Sequence, residues 1–118
     1  MPAPDFYIKE GDSAPQLLVT CYDEDDAIVD LTAALSVTFS MWNPGDDAPK
    51  IDKVAGQIES PATNGQLRYN WQTDGSDTED PGDYDAEFEV LWSDGTRTTF
   101  PNFRYLRIKV RRSLDTTD

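Results

Sequence analysis

The chain contains no histidine and a single cysteine among its 118 residues. Without an imidazole there is no Ser-His-Asp triad, no Cys-His dyad, no histidine metal site and no ordinary proton shuttle near neutral pH. One thiol, Cys21, allows neither an intrachain disulfide nor a cysteine-based zinc site. It stands in an alternating apolar run, where the expected role is that of a small buried hydrophobe. Bases are also scarce: 10 Lys and Arg face 23 Asp and Glu, for a net charge of −13. A chain so acidic is repelled by phosphate backbones and anionic lipid, so neither nucleic acid nor membrane is an expected partner. No stretch approaches the ~18 apolar residues of a membrane span. The opening Met1-Pro2-Ala3-Pro4-Asp5 has neither the positive charge nor the apolar run of an export signal. The expectation is a protein released without such a signal, as inside an assembled particle.

What is present is aromatic and apolar. Three Trp, five Tyr and five Phe stand within a 37 % apolar composition, and they supply much of the area a core needs. A chain of this length suits one domain that buries roughly two-thirds of its unfolded surface. The acids are read as a soluble surface, with a saline environment or a cationic partner as alternatives. Their distribution is uneven. Residues 1–103 hold 21 acids and 5 bases, net −16, whereas 104–112 hold five bases (Arg104, Arg107, Lys109, Arg111, Arg112) and no acid.

The hydrophobic period is two. Tyr84, Ala86, Phe88, Val90 and Trp92 alternate with Asp83, Asp85, Glu87, Glu89 and Leu91, the pattern of a strand with one wet face. Ser93-Asp94-Gly95 then predicts a turn, making 83–100 a hairpin. Leu106, Ile108 and Val110 share the inner face of a final strand. Earlier strands are predicted at Phe6–Lys9, at Gln16–Tyr22 and over the alternation Leu35, Val37, Phe39, Met41. A weak pair is predicted at Ile51–Val54 and Gln57–Glu59, then a strand over the alternation Leu67, Tyr69, Trp71. Asp30–Ala34 offers one helical turn, and Thr73–Gly82 a long polar loop. Seven to nine short strands point to an all-β, immunoglobulin-like antiparallel sandwich, preferred over a barrel because the strand lengths are uneven. Residues 1–5 are read as an N-terminal extension, 6–112 as the sandwich and 113–118 as a flexible tail.

In such sandwiches a tyrosine at the start of a late strand caps the preceding corner, two residues before the second disulfide cysteine. Tyr84 holds that place, with Ala86 in the cysteine slot. The alternative is that Tyr84 is simply the first inward aromatic of its strand.

Few constellations invite chemistry. Asp74, Ser76, Thr78 and Asp80 alternate oxygens as a calcium loop would, but without a mid-loop glycine or a distant closing glutamate. They are weak metal candidates, and no metal or cofactor is expected. Paired carboxylates for glycoside hydrolysis require an aromatic-lined cleft. So short a domain has little material to build one, and no enzyme is expected. Trp71 and Trp92 fall on predicted core faces. Trp42 falls on a wet face beside Asn43-Pro44-Gly45, which makes it an interface candidate unless it folds back on the core. The basic stripe could neutralise Asp85, Glu87 and Glu89 on a neighbouring strand, the favoured reading for Arg107 and Lys109. Docking on an acidic neighbour suits Arg111 and Arg112, at the strand end.

Taken in order, several segments resemble the immunoglobulin-like N-terminal domain of the phage baseplate upper protein family. They begin with Tyr7-Ile8-Lys9-Glu10-Gly11-Asp12 and the acidic turn into Ile28-Val29-Asp30-Leu31-Thr32-Ala33-Ala34, followed by Val37-Thr38-Phe39. Asn64-Gly65-Gln66-Leu67-Arg68-Tyr69 comes next, then Pro81-Gly82-Asp83-Tyr84-Asp85-Ala86-Glu87-Phe88. Asp94-Gly95-Thr96 running to Thr99-Phe100-Pro101 closes the series. The resemblance spans about residues 6–110. It implies a non-enzymatic structural protein of a tailed-phage virion, multi-copy and made in the host cytoplasm, whose partners are other virion proteins. The chain departs from the family pattern at Ala33, where Gly is frequent, and lacks the helical and receptor-platform regions of larger members. A baseplate or fibre adaptor, a neck or a surface-decoration subunit is therefore expected rather than a receptor carrier. Phe6, Tyr7, Trp42, Arg104, Arg111 and Arg112 are the expected contacts, with Phe6 and Tyr7 free at a chain end to reach a neighbour. Two alternatives stand beside this reading. One is a carbohydrate- or host-surface-binding module with optional calcium; the other is an adhesion domain from a saline habitat.

Overall fold

Alternation of apolar and polar side chains turns every second residue inward along the clearest of the nine strands among the described residues. The computed structural model describes residues 5–102 and 105–114. The strands are β1 (Asp5–Lys9), β2 (Leu17–Thr20), β3 (Ala34–Trp42), β4 (Ile51–Ala55), β5 (Gln57–Ile58), β6 (Gln66–Tyr69), β7 (Gly82–Trp92), β8 (Arg97–Phe100) and β9 (Leu106–Arg111). One sheet has the order β1-β9-β7-β3-β4, with β8 also on β7; the other is β2-β6-β5. Together they make an immunoglobulin-like sandwich.

The core lies between the sheets and is aromatic at its centre. Phe39 stacks on Tyr69 with ring centroids 4.4 Å apart, and Phe88 and Trp71 close around it at 5.0 and 6.0 Å. Phe39 and Phe88 come from the larger sheet, Tyr69 and Trp71 from β6 and just beyond it. This cluster joins the layers where no disulfide is available, and such rings add offset and edge-to-face attraction to their burial. Cys21 is buried in the same core, and burial pushes its thiol pKa up to about 12.

Several expectations need correction. The sandwich is not wholly antiparallel: β1 runs parallel to β9, in the register Asp5↔Arg107 to Lys9↔Arg111. Nearly the whole chain separates these two strands, so no tight turn forces them to oppose. Ile51–Ala55 and Gln57–Ile58 do not pair with each other. The first joins β3 and the second β6, so the chain changes sheets at Gly56. A Cβ there would stand 3.1 Å from the Arg68 carbonyl oxygen, which leaves little room for any other residue.

Leu35, expected inside, is 65 % exposed. The β3–β7 register shifts between Ala34 and Ser36, and one extra residue turns Leu35 outward. Trp92, placed on a core face, is only half-buried; its indole N–H donates to Thr98 Oγ1 at 2.8 Å. Asp30–Ala34 forms a single turn closed by the Ala34 N–H on the Leu31 carbonyl. One-turn 3-10 helices lie instead at Ala62–Asn64 and Ser76–Thr78.

The second of these changes the picture of the polar loop. Thr78 is fully buried, and its hydroxyl donates to the Asp12 carbonyl at 2.8 Å. The Gly11 N–H returns a bond to the Thr78 carbonyl at 3.0 Å. Gly75 sits at φ +79°, where an added Cβ would be 2.8 Å from the Gly11 carbonyl oxygen. The loop is thus clamped to the turn after β1.

Candidate interaction surface

The outer face of the larger sheet carries the side chains left over from core packing. From β7 come Asp83, Asp85, Glu87 and Glu89; from β9 come Arg107, Lys109 and Arg111. β3 adds Thr38, Ser40 and Trp42. Acids and bases meet across the β7–β9 register, which sets Asp83 opposite Lys109 and Asp85 opposite Arg107. Arg111 approaches Asp83 at 3.0 Å, Arg107 approaches Asp85 at 3.6 Å, and Lys109 lies 3.9 Å from both Asp5 and Asp83. The Arg111 hydrogen bond and the neighbouring cations hold the Asp83 carboxyl below its usual range.

This neutralisation is displaced from the expected Asp85-Glu87-Glu89 set. β9 covers β7 only from Gly82 to Ala86, while β8 covers Phe88 to Leu91. Glu89 therefore pairs with Arg97 of β8, at 3.2 Å. Glu87 falls between the two strands and has no cation within ion-pair distance among the described residues.

Around Glu87 the face is concave. Ser40, Trp42, Pro44, Asp85, Ala86, Glu87 and Tyr105 line a shallow depression of about 370 Å³. Trp42 is 43 % exposed and Tyr105 53 %. The Trp42 indole N–H donates to the Asp46 carbonyl at 3.1 Å, which ties the ring to the turn after β3. That turn is itself held by the Gly45 N–H on Asn43 Oδ1 at 2.9 Å. Trp42 has not folded back onto the core. Tyr105, which precedes β9 directly, takes the wet face by its alternation, as an aromatic of a sugar-stacking surface would, and the β7–β9 register brings it to the same depression as Trp42.

The other candidate residues are scattered. Phe6 is half-buried and packs on Trp71, with ring centroids 5.9 Å apart. It is not free to reach a neighbour, because pairing with β9 fixes which way β1 points its side chains. Tyr7 faces outward, 58 % exposed, with the Arg111 guanidinium 5.6 Å above its ring. Arg111 is thereby engaged twice within its own sheet. Arg112 is exposed just past β9. Arg104 lies outside the described residues.

Tyr84 is buried, and its hydroxyl donates to the Asp80 carbonyl at 2.7 Å. Desolvation, and then the Asp80 carboxylate, raise its pKa. The bond spans the corner into β7. The four weak calcium candidates are not brought together. The Thr78 hydroxyl is spent on Asp12, Asp74 Oδ1 accepts from the Ser76 N–H at 2.9 Å, and the Asp80 carboxylate takes the Lys50 ammonium at 3.2 Å.

Fold and surface together define an immunoglobulin-like β-sandwich whose larger sheet has a charge-paired outer face with two exposed aromatics. No family model matches the chain, and no curated protein sequence matches it. Among solved structures it is similar to CopC from Methylosinus trichosporium OB3b, at 10 % identity and a TM-score of 0.55. That alignment covers 98 % of this chain and 92 % of CopC, and it shows a shared fold. A fainter likeness joins it to murine CRIg, at 12 % identity and a TM-score of 0.38, over 92 % of each chain.

Proposed function

We propose that this protein is a non-enzymatic structural subunit of a tailed-phage virion, joined to neighbouring virion proteins through the outer face of its larger sheet. The observation that carries this reading is the pair Trp42 and Tyr105, exposed together on the outer face of the larger sheet around a shallow depression. Trp42, tied by its indole N–H to the Asp46 carbonyl, loses little freedom on contact, which favours a durable interface. The ordered resemblance to the baseplate upper protein family supplies the setting: a multi-copy part made in the host cytoplasm and retained in the particle.

Immunogold labelling of gradient-purified particles tests the proposal. The expected result is label at one repeated position, and particles lacking a defined part when the gene is deleted. Absence of the protein from purified particles overturns it. The same two aromatics also favour a second reading, stacking on sugar rings, which a glycan array run with the wild type and Trp42→Ala would support by tryptophan-dependent binding.

A further inference from the structure

An acidic face is normally quenched by its own cations, and here that process stops one residue short. Asp83 and Asp85 are matched by β9, and Glu89 by Arg97 of β8. Glu87 stands where neither strand reaches, half-buried and without a cation among the described residues. It opens into the depression flanked by Trp42 and Tyr105. This partly desolvated carboxylate shares the depression with two aromatic side chains, and no cation among the described residues meets it.

We propose that this depression seats an arginine side chain borne on a segment of a partner protein. A guanidinium is planar, so it stacks on an indole or phenol face while its N–H fork meets a carboxylate edge on. An ammonium offers a point charge without that match. The net charge of −13 adds a field that draws a basic segment towards the surface. Trp42 is already fixed by its bond to Asp46, so binding need not order it. The inference rests on the reading that this face is a contact surface, and it specifies the partner's chemistry.

The test uses the full chain, isotope-labelled, with the three indole N–H signals as reporters. Trp42 lines the depression, while Trp71 donates to the Pro15 carbonyl and Trp92 to Thr98, both elsewhere. The probe is a capped glycine-serine peptide carrying arginines, compared with its lysine and citrulline counterparts and with a neutral oligosaccharide. The expected result is a saturable shift of the Trp42 indole with arginine, a weaker one with lysine and none with citrulline. Glu87→Gln should weaken arginine binding by about 3- to 10-fold, the loss of one charge-assisted contact. Glu24→Gln removes the same charge from the exposed turn after β2, and should leave the affinity within about twofold.

Equal binding of citrulline, or equal losses from Glu87→Gln and Glu24→Gln, would overturn the proposal, because the general field rather than the site would then be responsible. So would a Trp42 shift produced by the oligosaccharide and not by arginine. Failure here with label still found on particles would leave the structural role standing. Loss of label with arginine binding intact would do the reverse.

Discussion

Single side chains hold the corners of this sandwich, and their removal should be felt locally. Tyr84→Phe deletes the bond to the Asp80 carbonyl without changing the ring. It should cost about 0.5–1.5 kcal/mol in denaturant unfolding, the usual net worth of a hydrogen bond. Thr78→Val keeps the shape of a fully buried residue but abandons the Asp12 carbonyl. A loss of about 1–3 kcal/mol is expected from that stranded acceptor. Gly75→Ala should be worse than an ordinary loop change, since it combines φ +79° with a 2.8 Å backbone approach. Cys21 should resist thiol reagents until the chain unfolds, because a pKa near 12 leaves almost no thiolate at neutral pH.

At the scale of elements, the aromatic cluster does the joining that a disulfide does in other sandwiches. Phe39→Ala removes the ring that touches Tyr69, Trp71 and Phe88, and should lower unfolding free energy by about 3–5 kcal/mol. The alternation that places Phe39, Phe88 and Tyr69 inward is plain in the sequence, which is why the strands and the sandwich were legible there. What was not legible depends on long-range register. Leu35 obeys the pattern until a bulge turns it out, and Phe6 looks like a loose end until β1 meets β9. The change of sheet at Gly56 has no local signal beyond the glycine itself. The candidate surface was half legible: the wet face showed Trp42, but its meeting with Tyr105 and the lack of a cation beside Glu87 among the described residues follow from where β8 stops and β9 starts.

Across the whole molecule, charge sets the working range. Hydrogen bonds from Thr32, Ser76, Thr96 and Arg111 hold Asp30, Asp74, Asp94 and Asp83 below their ordinary values. Their stabilisation is present above the unfolded carboxylate range, near pH 4, and is lost as pH falls through the lower folded values. Tyr84 is raised chiefly by desolvation. For Lys50, burial pulls downward, but bonds to Glu79 and Asp80 prevail and raise it. These contributions are present below about pH 10 and are lost as pH climbs through the folded values. Denaturant midpoints measured across pH should therefore fall off on both sides. Added salt should raise the neutral-pH midpoint by screening the net −13. The parallel ladder of β1 and β9 carries a further, mechanical consequence. If opposite ends of the domain are tugged apart in an optical trap, the load runs lengthwise along two adjacent ribbons pointing the same way, so their rungs must give way together instead of peeling singly. A module joined this way resists stretching far better than its thermal stability alone would suggest.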